Sequence, residues 1–430
     1  MNRPWKVIHS TNYSENKSMN TFTFERSQRM FFGVLMGIGL LCAIILFAQN
    51  GPLHARFWSD VLHNSVFFTG IAVMALFFLG ASVTAMAGWY TVFKRVWEAF
   101  SLFLLVGIIL MVFLALGNYL GFHHLYHWND AESVADDVLL KGKSHFLNRG
   151  WYLFGTIIIM GAWIYFARKI RTLSIQEDEN PGPDFQQHRK IRVWAAAVLP
   201  LIGFSSAATI WLWVMSVDPH WYSTLFAWYS AASWFVAMVA LTIMLMGYLQ
   251  SKGYFPDFNR DHLHDLGKFL FAFSIFWTYL WFSQFMLIWY GNVGEETTYF
   301  LTRREQYPVL FYGNLVVNFV LPFLVLLRND TKRKLGTMFF VSGIVFFGHW
   351  IDYFLMIKPG VLHTTMELSG AEGHGSHALG AGFALPGFLE IGLMLGFLGL
   401  FLYVVFWQLS KASLMPKNDP YLAESIHHHV

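Results

Sequence analysis

The stretch Trp211–Tyr248, WLWVMSVDPHWYSTLFAWYSAASWFVAMVALTIMLMGY, decides the fold. Two apolar runs are pinched by Asp218-Pro219-His220-Trp221. Neither run is stable in water, and the link is too short to be a domain boundary. The spacing therefore predicts a tight helical hairpin that turns at a membrane surface. A helix crosses the hydrocarbon core with about 20 apolar residues. Applied outward from this hairpin, that rule predicts spans at 30–49, 63–88, 97–120, 150–167, 194–217, 221–249, 267–291, 308–327, 336–357 and 385–408. A transmembrane barrel would show alternating segments of about ten residues. These runs are longer and apolar all round, so the expected fold is an all-α polytopic membrane protein of about ten transmembrane helices.

Composition agrees. Only 13% of the 430 residues are charged, against about a quarter in a soluble domain. The 44 Phe, 18 Trp and 18 Tyr suit aromatic belts at two membrane interfaces. A net charge of +3, with no basic run interleaved with aromatics, argues against a nucleic-acid surface. The single cysteine, Cys42, forms no intrachain disulfide and cannot hold an iron–sulfur cluster, which takes about four thiolates. There is no Cys-x-x-Cys-His for c-type haem. Paired axial histidines for haem b are lacking too, with His349 well inside an expected span and His63 at the edge of another. The first 28 residues are polar without a signal-peptide pattern, so the first apolar run is expected to stay in the bilayer.

Lys and Arg in the connections set orientation. Twenty-two of the 29 fall on the side of the N-terminus. Both termini are therefore expected in the cytoplasm, with the Asp218–Trp221 turn facing outward. The expected organisation is a cytoplasmic segment 1–28, a membrane domain 29–410 and a cytoplasmic tail 411–430. Three connections stand out: an outer loop 121–149, a polar inner linker 172–190 and a Gly- and His-rich outer loop 358–384. The inner linker separates spans one to four from five to ten and marks a plausible split into two bundles.

Ionisable side chains inside a bilayer are expensive and are functional candidates by default. His349 and Asp352 are three apart on the ninth span and share a helix face. Glu390 lies about one turn inside the tenth, where a neighbouring antiparallel helix could bring it to the same pair. The three read either as a proton relay opening outward or as a structural pin between helices. Asp218 and His220 read as a helix cap, with a proton exit or partner contact as the other reading. Glu98, four residues after Lys94, reads as a solvated salt bridge. His264 and Asp265, with His262 and Lys268, read as the capped, snorkelling start of a helix that could also admit protons. His123 and His127 are four apart and could chelate a metal, but no third ligand is evident; the same holds for His374 and His377. His427–His429 reads as a polar tail.

The pattern Trp89…Lys94-Arg95-Val96-Trp97-Glu98-Ala99 resembles the basic-x-x-Glu-Ala helix start of the NrfD/polysulfide-reductase membrane-subunit family. Asp218-Pro219-His220-Trp221-Tyr222-Ser223-Thr224, then His262-Leu263…Gly267-Lys268, then Ile288-Trp289-Tyr290-Gly291-Asn292, resemble the NrfD-like subunits of alternative complex III, a bacterial quinol:cytochrome c oxidoreductase. The likeness runs from about residue 30 to 410. It is nearer to the second of the two NrfD-like subunits than to the one with the quinol site. It departs at His264, a position often acidic in the family. The resemblance implies two four-helix bundles plus flanking helices, beside a sister NrfD-like subunit in a bacterial inner membrane. Quinone, haem c and iron–sulfur clusters would be held by partner subunits, including a multihaem cytochrome and an iron–sulfur protein, with no cofactor or metal in this chain. It also implies proton half-channels, for which His349, Asp352, Glu390, Asp218, His220, Glu98, His264 and Asp265 are the candidates. A stand-alone secondary transporter and a purely structural subunit are the alternative functions.

Overall fold

Hydrocarbon offers a backbone no water, so every N–H and C=O must bond within the chain. The computed structural model, which describes residues 21–49, 52–368 and 382–429, meets this with helices. Ten are long and apolar enough to span a membrane: α1 (Arg26–Ala48), α2 (Ala55–Thr84), α3 (Thr91–Leu120), α4 (Arg149–Glu179), α5 (Pro183–Val217), α6 (Thr224–Ser251), α7 (Arg260–Gly291), α8 (Pro308–Leu326), α9 (Leu335–Leu368) and α10 (Phe388–Leu409). The chain is a multi-pass, all-α membrane protein. The hairpin of Trp211–Tyr248 is the turn between α5 and α6.

Several helices are longer than hydropathy suggested. α2 begins eight residues before the expected start at 63, α3 six before 97, and α9 runs eleven past 357. The added turns carry Arg56, Asp60, Lys94, Arg95 and Lys358, charges that a hydropathy count treats as solvent-bound. The loop expected at 358–384 is thus helical to Leu368, and His374 and His377 lie outside the described residues. The linker expected at 172–190 shrinks to a turn between Glu179 and Pro183. The 121–149 connection folds into short helices Ala131–Asp136 and Val138–Lys143, whose N-termini are capped by the Asp130 and Asp137 carboxylates.

α2, α3, α4 and α5 pack as one four-helix group, and α6, α7, α8 and α9 as a second. α5 belongs with α2 and α4, so the division falls at the Asp218–Trp221 turn and not at the 172–190 linker. The groups meet along α2, α6 and α9. In α2 and α6 the most apolar 18-residue window is 89% buried, which makes them the centre of the protein. Large apolar side chains on the periphery, such as Phe31, Leu40, Phe204, Trp228 and Tyr290, are exposed, as lipid contact requires.

α1 and α10 form a separate flanking pair. Gly39 and Gly396 meet backbone to backbone: a Cβ added to either would lie 2.5 Å from the other's Cα. Small residues allow this approach where no hydrophobic force drives helices together. The two ends of the described chain lie on one face, where Thr21 pairs with Ser413 in an antiparallel bridge and Phe22 packs on Phe406. We call this the termini face and its opposite the far face. Gly396→Leu should separate α1 from α10 at an overpacking cost of about 1–3 kcal/mol. A lowered melting midpoint in detergent would show it, whereas Gly203→Leu, at an open position, should leave the midpoint unchanged.

Candidate functional site

His349 and Asp352, one turn apart on α9, point together into the second bundle. One Asp352 oxygen accepts hydrogen bonds from the Tyr229 hydroxyl of α6 and from Asn314 Nδ2 of α8 at 2.8 Å. The other accepts from Trp277 Nε1 of α7 at 2.9 Å. His349 Nδ1 lies 2.9 Å from Ser233 Oγ, and its ring meets Trp277 edge-on at 5.4 Å. Asn318 Nδ2 donates to Asn314 Oδ1 at 2.6 Å and so holds Asn314 toward the carboxylate. Two local features make room for this. α8 is broken by a π turn over Val316–Val320, just before Pro322, and Gly348 of α9 leaves Asn318 the space a Cβ would take. Among the described residues, Asp352 is the one buried Asp, Glu, Lys or Arg of the ten spans without an oppositely charged partner.

A cavity of about 20 Å³, room for one water, touches Tyr229, Asn314 and Gln284 on one side and Tyr299 and Arg303 on the other. Tyr299 and Arg303 also line a larger vestibule of about 360 Å³ on the far face, with Asp218, His220, Trp221 and His363. These two residues, from the helix Gly294–Gln306, are the partition between vestibule and cavity. Arg303 is fixed by a defect in α9. Pro359 has no N–H to give the carbonyl four residues back, and Arg303 Nε supplies the missing donor to Leu355 O at 2.9 Å. Its other nitrogens donate to Tyr299 O, Met356 O and, at 2.8 Å, to the Asp218 carboxylate. The guanidinium carbon sits 3.4 Å above the Tyr299 ring, which stacks on Trp221 at 3.8 Å.

Asp218 closes the end of α5, as the sequence pattern favoured, with its N–H bonded to Met215 O, and its carboxylate takes the ion pair with Arg303; α6 opens later, after Ser223. His220 does not start α6; its Nε2 lies 2.5 Å from the Asp137 carboxylate. Burial alone would raise Asp137, but the His220 contact and the Leu139 and Leu140 amides hold it below its ordinary value. With Lys143 bonding Pro219 O, these contacts tie the 121–149 segment to the hairpin turn.

Glu390 does not join His349 and Asp352. It pairs with Arg56 of α2 at 2.6 Å, next to a second buried pair, Lys358 with Asp60, also at 2.6 Å. The two pairs bind α2, α9 and α10 on the far-face side. His63, nine residues into α2 and not at its edge, has Nε2 committed to Trp350 O at 2.8 Å and is stacked on that indole.

On the termini face, Glu98 is buried and not a solvated partner of Lys94. Its carboxylate is clamped by Arg95 at 2.8 Å, Arg171 at 2.7 Å and Ser174 Oγ at 2.6 Å. Lys94 turns instead to Asp419 at 2.5 Å and Glu177 at 3.4 Å. Glu177, His188 and Asp419 present ligand atoms within 4.8 Å of one another, a metal-like triad, but the Lys94 ammonium already supplies the positive charge there. α7 starts as expected, with Asn259 Oδ1 accepting from the Asp261 and His262 amides. His264 is buried beside Asp265, which takes Lys268 at 2.7 Å and His428 at 2.6 Å. The C-terminal tail is accordingly docked: Ser425 bonds Val92 N and Trp89 O, and Asn418 reaches the carbonyls at the end of α4. Hydropathy and spacing did not single out Arg303, Lys358, Asp60, Arg171 or Glu177. Pro359 was the available signal for Arg303, since a proline in a helix leaves a carbonyl that needs a donor.

No protein-family model matches this chain, and no curated protein matches it.

Two predictions test these contacts. Arg303→Ala removes the donor to Leu355 O and strands Asp218, and should cost about 2–4 kcal/mol. Pro359→Ala restores the helical amide, so the same Arg303 substitution in that background should cost less by about 1 kcal/mol or more, the net worth of one hydrogen bond; a double-mutant cycle on melting measures this. At the tail, burial would raise the Asp419 carboxyl, but Lys94 holds it below the ordinary range. That pair stabilises docking above the unfolded value of about 4 and fades as pH falls through the lower folded value. Asp419→Asn at neutral pH should release residues after Ser410 to limited proteolysis, while the wild-type tail stays protected.

Proposed function

We propose that this chain is the second NrfD-like membrane subunit of a respiratory quinol:cytochrome c oxidoreductase of the alternative complex III type. Its side of the work is proton movement and assembly; quinone, haem c and iron–sulfur clusters belong to its partners. The reading rests on the ordered motifs along residues 30–410, on two four-helix groups with a flanking pair, and above all on Asp352. An aspartate between helices with three neutral donors and no cation is costly to keep charged, and it is suited to take up and release a proton. The vestibule, the Arg303–Tyr299 partition and the one-water cavity give it a route to the far face, which on this reading is the periplasmic side.

From the other face, Glu98 and Lys94 lead inward to Trp97, whose Nε1 donates to Thr242 Oγ1 at 3.1 Å. Thr242 stands nine positions after Ser233 on α6, about 13 Å of axial rise. This stretch includes Trp234, Phe235, Met238 and Val239, all buried. Two polar half-routes separated by a dry segment suit a protein that moves protons only when a partner drives it.

The broken eighth helix favours a second reading, a secondary transporter, because such proteins bind solute at interrupted helices. Purification from the native membrane separates the two. On the first reading a multihaem cytochrome and an iron–sulfur protein come down with the chain; isolation as a lone monomer that binds a solute supports the second. Within the complex, Asp352→Asn should leave assembly intact and lower the protons moved per electron. Unchanged proton yield in an assembled Asp352→Asn complex would leave the chain a scaffold.

A further inference from the structure

The His123–His127 pair lacked a third metal ligand in the sequence, and the fold changes that pairing. His123 turns inward, with Nε2 bonded to Leu114 O at 2.9 Å. His127 instead faces the end of α9. Its Nδ1 is 3.6 Å from Glu367 Oε2, and Nδ1 of His363, one turn earlier on α9, is 3.7 Å from the same oxygen. Both separations are too long for hydrogen bonds, and Glu367 Oε2 is buried with no hydrogen-bond partner among the described residues. An orphaned carboxylate oxygen with an imidazole nitrogen on each of two approaches needs an explanation.

Tetrahedral zinc supplies one. Ligands bound at about 2.0–2.2 Å around Zn²⁺ stand roughly 3.3–3.5 Å from each other. The two N···O separations are close to the edges of such a tetrahedron. We propose that His127, His363 and Glu367 form a zinc site at the rim of the far-face vestibule, with solvent from the vestibule completing the shell. His127 is fixed by its place in the 3₁₀ turn His127–Asn129 and is buried. The two imidazoles do not yet stand at ligand distance from each other; His363, with its side chain 73% exposed, has the room to close that edge by rotating about its own side-chain bonds. Zinc here would staple the end of α9 to the segment after α3, across the vestibule mouth that His127 and His363 both line.

The site is independent of the respiratory assignment, and its test does not use activity. The full chain, with whatever subunits accompany it, is purified through a tag other than polyhistidine, equilibrated with Zn²⁺, gel-filtered and assayed for bound metal. The wild type should hold one zinc more per chain than His363→Ala or Glu367→Gln, with affinity falling at least about tenfold in either variant. His145→Ala, an exposed histidine of the same connection, should bind like the wild type. Co²⁺ should give the intense visible bands of a tetrahedral N/O site in the wild type and His145→Ala, and not in His363→Ala or Glu367→Gln. His363 is exposed, so its loss does not threaten folding. Equal zinc content in the wild type and His363→Ala, or only the weak bands of octahedral Co²⁺, would overturn the proposal.

Discussion

The charge that has no counter-charge organises this structure. Between the helices Glu98 meets two arginines, Lys94 two carboxylates, Arg56 Glu390, and Lys358 Asp60. Such pairing is what a low-dielectric interior demands, because an unmatched ion there costs several kcal/mol. Asp352 has a phenol, an indole and an amide, all neutral. Four helices are shaped to deliver those donors: α8 with its π turn, α9 with Gly348, and α6 and α7 with Tyr229 and Trp277. A merely structural aspartate would be simpler to match with a lysine, as Asp60 is matched by Lys358.

The same economy of backbone explains the far face. Pro359 breaks one hydrogen bond in α9, Arg303 repairs it, and the arginine is thereby held where it can also grip Asp218. The hairpin turn, the short helix Gly294–Gln306 and the end of α9 thus become one unit around the vestibule. On the opposite face the C-terminal tail plays the corresponding role, closing over Lys94, Glu177 and Asp265 with Asp419, Asn418 and His428.

The ten helices were legible because burial in lipid writes itself as uninterrupted apolar length. His349 and Asp352 were legible because charge inside such a run is conspicuous. The ends of helices were not, since Asp60, Lys94 and Lys358 look like solvent-bound residues until their partners, distant in sequence, are known. Grouping Glu390 with Asp352 failed for a related reason: equal depth in the membrane does not set which face of a helix a side chain leaves from, and α10 turns Glu390 to α2. The bundle boundary was misplaced because the polar run 172–190 looked like a linker, although most of it continues two long helices.

The proton exchange proposed for Asp352 is the point on which the rest of that reading depends. Infrared difference spectroscopy of the assembled protein, reduced against oxidised, reads a carboxylic acid directly through its C=O stretch. A band that appears or vanishes with turnover, shifts in deuterium oxide and is missing from Asp352→Asn is the predicted result. A carboxyl region identical in wild type and Asp352→Asn would contradict it.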